Sequence, residues 1–387
     1  MKKRFKFNFN ILKRLIVAIF VIVLILVLPT LGLRKNDNLS MIYSTFIGSK
    51  SKYQGIIEIW NVDSFESGTI SKTNLLNNLA KAYQKKYKGL YFMVRNLTET
   101  ECINLISQGE KPDLMSCSYG VASELKDIFV PYSKDFNVEI SENLLKAGKT
   151  QDGLMAVAYA QGFYTLISTR ERLEKAGRVF EDLNVNYKLS DVVFDLGYEI
   201  VGKKNTKQVY SLGFGDDKNL LPQMALKTYN KKGLQSKSNL SYKEMSVSQY
   251  SAYCDFIAGY STILLGTQRD VYRIENRVNL GKLSDVIYES VLGFSDLVQF
   301  MLITNIENND KLFYAQDFVR FITGEVGQNM VLNAGLVSVV NSSKLLINSS
   351  IMQDIVPQIL ESNTKFNNIF ISKDEIVSLK QNFNFLE

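Results

Sequence analysis

The chain has 387 residues, 45 Lys and Arg against 39 Asp and Glu, three cysteines and no histidine. Without imidazole, Ser-His-Asp and Cys-His nucleophilic sites and His-ligated zinc are excluded, and three cysteines are too few for a disulfide framework. The six excess positive charges all lie in residues 1–14, so the remainder balances at 39 against 39 and shows no compositional footprint of a nucleic-acid-binding domain.

In MKKRFKFNFNILKR every charge is positive, and the next nineteen residues, Leu15 to Leu33, are uncharged, fifteen of them Leu, Ile, Val or Phe. Such a stretch is long enough to span a bilayer as a transmembrane helix. The positive-inside rule keeps the N-terminus cytoplasmic and places the body outside. The expectation is a single-pass cell-membrane protein with an extracytoplasmic body. Thr30-Leu31-Gly32 poorly matches a small-residue cleavage site, so 15–33 is read as an anchor, with a cleaved signal as the alternative. Residues 34–54, polar and without helical period, read as a tether.

Beyond the tether, Ile56–Trp60 fits a buried strand, and Ser71 offers an N-cap for a helix through Lys88 whose inner stripe is Leu75, Leu76, Leu79, Tyr83 and Tyr87. Leu90–Val94 reads as a second strand, Thr98-Glu99-Thr100-Glu101 as a capping box opening a helix that Gly109 closes, and Asp113–Cys117 as a third strand. This β-α-β-α-β order predicts an open α/β lobe with ligands beyond the carboxyl ends of its strands. Leu154–Tyr159 and Phe163–Ser168 read as strands around Ala160-Gln161-Gly162, a crossing between lobes. Lys231–Lys243 reads as an exposed polar loop, Ser261–Leu265 as a strand, and the chain from Asp310 to about 334 as helical, with Gly324 and Gly335 at helix ends. At this length two lobes are expected rather than one core.

Five segments, GIIEIWNVDSFESGT, KPDLMSCSYG, VAYAQGFYTLIST, FIAGYSTILLGTQRDVYRIENR and FVRFITGEVGQNMVLNAGLVSVV, occur in one order over residues 55–342. Together they resemble the extracellular solute-binding proteins of ABC importers, in the sugar-binding group related to maltose-binding proteins. The resemblance implies an α/β, two-lobed periplasmic-binding-protein type II fold with crossing hinge strands. It also implies a solute, first of all a saccharide, held between the lobes, and an ABC permease as partner. Lobe 1 would comprise 55–158 with 261–305, and lobe 2 would comprise 159–260 with 306–387. The chain departs from the family in having no cysteine before Cys102 for lipid attachment, and in carrying Tyr159-Ala160-Gln161 where a Pro-aromatic pair often crosses the lobes.

The candidate ligand-binding residues follow the strand ends. Trp60, the only tryptophan, could stack on a sugar ring, and Asp63 and Glu66 could accept paired hydrogen bonds from hydroxyls or a cation. Tyr119, between Ser118 and Gly120, follows the third strand; Tyr159, Gln161 and Tyr164 flank the crossing. Arg269 offers a planar fork that Asp270 could orient, or the two form a structural ion pair; Arg269, Arg273 and Arg277 would share one helix face. Cys102 and Cys117 read as small buried hydrophobes. No catalytic residue, metal, cofactor or nucleic-acid partner is expected. Two alternatives stay open: an anchored glycoside hydrolase using two carboxylates, and a ligand-binding subunit of a sensor or surface complex.

Overall fold

The computed structural model describes residues 49–175, 189, 210–215, 246–292, 295–340, 349–362, 364–372 and 374–375. The expected anchor at 15–33, tether residues 34–48 and the loop at 231–243 lie outside them. Among the described residues no helix is long and apolar enough to cross a membrane.

In chain order the first elements are β1 (Ser49–Val62), α1 (Lys72–Gln84), β2 (Tyr87–Leu97), α2 (Glu99–Ser107), β3 (Leu114–Cys117), β4 (Phe129–Val130), α3 (Glu142–Ala147) and β5 (Ala156–Gln161). After the first crossing come β6 (Tyr164–Thr169), β7 (Tyr210–Gly215), β8 (Ser246–Val247), α4 (Gln249–Ala258), β9 (Ser261–Thr267), α5 (Gln268–Asn279) and β10 (Val286–Val291). The chain ends with β11 (Val298–Thr304), α6 (Asn309–Thr323), α7 (Glu325–Asn333) and α8 (Ser350–Glu361).

These strands form two sheets. The first runs β2-β1-β3-β11-β4 with β5 also on β11, and the second runs β8-β7-β9-β6-β10. β1 and β3 are parallel, as the crossover pattern requires, while β11 is antiparallel to β3, β4 and β5. In the second sheet β9 is parallel to β7, and β6 lies antiparallel to both β9 and β10.

Each sheet has its own core. Met115, Cys117, Ala156, Ala158, Phe300 and Leu302 pack with Cys102 and Leu144 in the first, and Phe163, Ile167, Leu264, Val271, Ile274, Met352 and Val356 form the second. By backbone contacts the chain divides into a small unit, up to Gly55 together with Lys81–Tyr91, and a large unit, Ile56–Ala80 with Phe92 onward, which holds both cores.

Among the described residues the chain passes between the cores at several places, three of them close together at Gln161 and its neighbours. β5 runs through Gly162-Phe163 into β6, β10 returns through Ser295–Leu297 into β11, and Val337 bridges Gln161 between Leu332 of the second core and Val339 of the first. Gly162 has no room for a side chain: a Cβ there would meet Gln268 Oε1 at 2.7 Å and Leu297 Cβ at 2.9 Å. The crossing read at Ala160-Gln161-Gly162 therefore stands, fixed by close backbone approach.

Several local expectations are corrected. β1 begins at Ser49, so 49–54 belongs to a strand rather than to the tether. α1 ends at Gln84, not Lys88, and Tyr87 and Gly89 lie in β2. The alternating buried and exposed residues of Tyr87–Leu97 carry a strand period that starts before the glycine.

The lobe division also changes. β9 and β10 pair on β6 of the second sheet, so 261–291 does not join the first; only β11 of that stretch does. Conversely, α6 packs with first-sheet elements: Phe318 meets Phe92 at 4.5 Å between ring centroids, Ser133 Oγ donates to Gln316 Oε1 at 2.7 Å, and Lys311 pairs with Asp113 at 2.7 Å.

Candidate binding site at the strand crossings

The carboxyl ends of β1, β3 and β5 meet in a buried polar network. Ser116 Oγ donates to Asn61 Oδ1 at 2.8 Å and lies 2.9 Å from Tyr159 Oη, while Gln299 Nε2 donates to Ser116 Oγ at 3.0 Å and to the Val62 carbonyl at 3.1 Å. All four side chains are fully buried. Burial pushes the Tyr159 phenol above its ordinary range, so it serves as a neutral hydrogen-bonding group. Gln328, also fully buried, donates to the Tyr159 carbonyl at 2.9 Å and accepts from Ser338 Oγ and Val339 N. The network fixes the crossing strands side by side.

Trp60 is 1 % exposed within the first core; its indole N–H donates to Glu58 Oε1 at 2.7 Å, and the Arg95 guanidinium sits 5.2 Å from the ring. The ring is enclosed by protein. Asp63 accepts from Asn61 Nδ2 at 3.1 Å and lies 3.4 Å from the ammonium of Lys72. Lys72 is itself 1 % exposed, 3.7 Å above the Phe65 ring and bonded to the Phe65 carbonyl. Burial lowers the Lys72 ammonium from 10.5 to about 8, against the opposing pull of Asp63.

The loop that follows β1 is bonded to α5 of the second sheet. Gln268 Nε2 donates to the Glu66 carbonyl, Arg269 Nη1 to the Gly68 carbonyl at 2.6 Å, and Arg273 Nη2 to Glu66 Oε2 at 3.0 Å. Thr69 adds bonds from its N–H to the Ala334 carbonyl and from its hydroxyl to the Asn333 carbonyl. Asp270 is fully buried and caps α5 through Thr267 N at 2.9 Å, with Arg273 at 3.1 Å and Gln249 at 2.7 Å. Burial raises its carboxyl above the usual range, against these bonds. Arg277 Nε donates to Tyr253 Oη at 2.8 Å. The arginine row is thus a bonded face, and Asp270 pairs with Arg273 rather than with Arg269, whose Nη1 bonds the Gly68 carbonyl.

Beside the crossing, at Gln161, lies a cavity of about 250 Å³. α3 and its N-cap supply Ser141, Glu142 and Asn143 to its wall, α8 and the chain after it supply Ile359, Leu360, Ser362, Thr364 and Phe366, and Gln161 completes the lining. Asn143 Nδ2 donates to the Thr364 carbonyl at 2.9 Å, closing one end. Lys146, 2.7 Å from Glu142, holds that carboxyl below its ordinary range, so a carboxylate stands at the wall. Hydroxyls, an amide, a carboxylate and an aromatic ring around a small space suit a polyhydroxylated or amide-bearing solute.

Of the nine predicted site residues only Gln161 lines this cavity. Its backbone pairs with Val337, and its Nε2 donates to the Ser338 carbonyl at 2.7 Å. Tyr164 and Tyr119 lie around Asp296: Tyr164 Oη donates to Asp296 Oδ1 at 3.2 Å, and burial, with the Asp296 charge second, raises both phenols. Tyr119 stacks edge-on to Phe300 at 5.9 Å, and its buried hydroxyl has no hydrogen-bond partner among the described residues. Sequence reading missed Asp296, 5 % exposed at the return crossing, along with Gln268, Gln299 and Gln328. No local motif marks them.

No family model matches the chain, and no curated protein matches it in sequence. Solved structures match over most of its length. The GacH receptor of Streptomyces glaucescens, solved unliganded and with acarbose, has a TM-score of 0.60 at 12 % identity, covering 87 % of this chain and 94 % of that one. The chain has the two-lobed solute-binding-protein fold. The cyclic alpha-maltosyl-1,6-maltose binding protein of Arthrobacter globiformis shares that fold at TM-score 0.56 and 9 % identity, over 85 % of this chain and 91 % of that one. So does thiaminase I of Bacillus thiaminolyticus, an enzyme, at 0.56 and 10 %, over 84 % and 98 %. At such identities the likeness is one of fold.

Proposed function

We propose that the chain is a solute-binding protein of an ABC importer, tethered by residues 15–33 with its body outside the cell membrane, that captures a small carbohydrate and presents it to a permease. The observation that carries this reading is the polar cavity beside Gln161, at the β5–β6 passage between the two sheets, in a fold shared with sugar-binding receptors. At about 250 Å³ the cavity falls below the roughly 300 Å³ at which drug-sized sites begin, which favours a solute of one or two rings.

Binding rather than bond-making is supported by the state of the reactive groups. Asp63 and Glu66 share one loop and are paired with Lys72 and Arg273, whereas a glycoside hydrolase needs two carboxyls across the scissile bond. Burial raises the Cys102 thiol to about 11 and pushes Cys117 higher still, so neither supplies a thiolate nucleophile at neutral pH.

The test is a thermal melt of the protein against mono- and oligosaccharides, amino acids and peptides. A selective ligand at a hundred times its Kd stabilises by about 2.7 kcal/mol, a rise of several degrees. Ser362→Trp, which fills the cavity, should abolish that rise. A saccharide panel without effect, or a shift that survives Ser362→Trp, would remove the carbohydrate from this site.

A further inference from the structure

Residues 49–55 and 81–91, the described part of the small unit, hold six lysines and no carboxylate. Lys50 and Lys52 come from the start of β1, Lys81 from α1, Lys85 and Lys86 from the turn after it, and Lys88 from β2; all six are exposed. Ser49 N donates to the Lys86 carbonyl at 2.9 Å and Ser51 Oγ to the Lys88 carbonyl at 3.0 Å, so the two segments form one surface. Tyr91, in the same unit, is 60 % exposed, and tyrosine is a side chain that favours the headgroup level of a bilayer.

Residues 1–14 and this surface together carry more than the chain's whole excess of positive charge. Of 45 Lys and Arg, six lie in residues 1–14 and six here, which leaves 33 against 39 Asp and Glu. The same surface receives the chain from the apolar segment: fifteen residues, 34–48, separate Leu33 from Ser49, a reach of about 50 Å at most.

We propose that this lysine face docks on an anionic lipid bilayer. The proposal rests on the tethered reading above, because the tether delivers the face to the membrane that 15–33 enters. Each lysine held within a Debye length of an anionic surface strengthens attachment by a factor of about five. The lysines give an interaction with headgroups that salt screens, and Tyr91 adds an interfacial anchor.

The test is lysine acylation with mass-spectrometric readout on the full chain in nanodiscs of phosphatidylcholine alone or mixed with phosphatidylglycerol. Labelling of Lys50, Lys52, Lys81, Lys85, Lys86 and Lys88 should slow severalfold in the anionic discs only, and recover at high salt. Lys126 and Lys149, exposed on other elements, should label alike in both. Lys85→Gln, Lys86→Gln and Lys88→Gln combined should remove protection at Lys50, Lys52 and Lys81 while the melting temperature holds, a loss on the order of a hundredfold in attachment. Equal labelling in the two discs overturns the proposal. So does protection by added polyphosphate in neutral discs without protection in anionic ones, which would make the ligand a soluble polyanion. If the chain enters neither disc, the tether reading falls, and cosedimentation of the same chain with vesicles of the two compositions decides the lysine face by itself.

Discussion

Lys72 places an ammonium where water does not reach, held by the Phe65 carbonyl, the Phe65 ring and Asp63. Its folded value of about 8 lies below its ordinary 10.5, so between those pH values the unfolded chain binds the proton that the folded chain has released. Stability attributable to this group therefore rises with pH across that window and is flat below it. The gain is at most about 3 kcal/mol. Urea melts of wild type and Lys72→Met at pH 7 to 10 should show the difference in unfolding free energy moving toward wild type as pH climbs. A constant offset would mean that Lys72 is not buried as a strained ammonium. Trp60 leads to a different expectation: enclosed beside Glu58 and Arg95, it should report unfolding through its emission and remain unmoved by a bound solute.

The loop between β1 and α1 depends on two glycines that face each other. Gly335 has φ of +73° and a Cβ there would lie 2.7 Å from Gly68 Cα; a Cβ on Gly68 would strike the Tyr272 ring at 2.4 Å and the Gly335 carbonyl at 2.8 Å. Gly109 also has positive φ, +87°, but open space around it. Gly109→Ala should cost about 1 kcal/mol from conformation alone, and Gly335→Ala clearly more, by a further 1 to 3 kcal/mol of overpacking. Equal melting temperatures for the two variants would show that the loop yields. Features of this kind divide what the sequence discloses from what it hides. The Thr98 capping box was legible because both partners, Thr98 and Glu101, sit three residues apart and the bonds form as read. The strands at 114–117 and 261–267 were legible as apolar runs. Sheet membership was not, because β9 reads the same on either sheet until its pairing with β6 is known. Gln299 and Asp296 stayed invisible for the same reason: Gln299 bonds Val62 across 237 residues and Asp296 bonds Tyr164 across 132.

The molecule combines a polar cavity beside Gln161 with a bonded seam between α5 and the loop after β1. Solute-binding proteins close by hinge rotation, and a ligand favours the closed state only through contacts it makes better there. Here α5 holds the loop of the first sheet through Arg269, Arg273 and Gln268. The Arg273–Glu66 pair has a 63 % exposed carboxylate and contributes about 1 kcal/mol or less; the Arg269 bond to a carbonyl is charge-assisted and adds about 1.5 to 3 kcal/mol. Removing both with Arg269→Ala and Arg273→Ala should shift the open-to-closed ratio by roughly a hundredfold. Small-angle scattering of the ligand-free variant should then give a larger radius of gyration than wild type, and a solute that fills the cavity should restore the wild-type value. The apparent affinity of the variant falls by the closed fraction that it has lost. A scattering curve unchanged by the double substitution would mean that the network of Asn61, Ser116, Tyr159 and Gln299 belongs to a rigid body, with the crossings acting as struts rather than as a hinge.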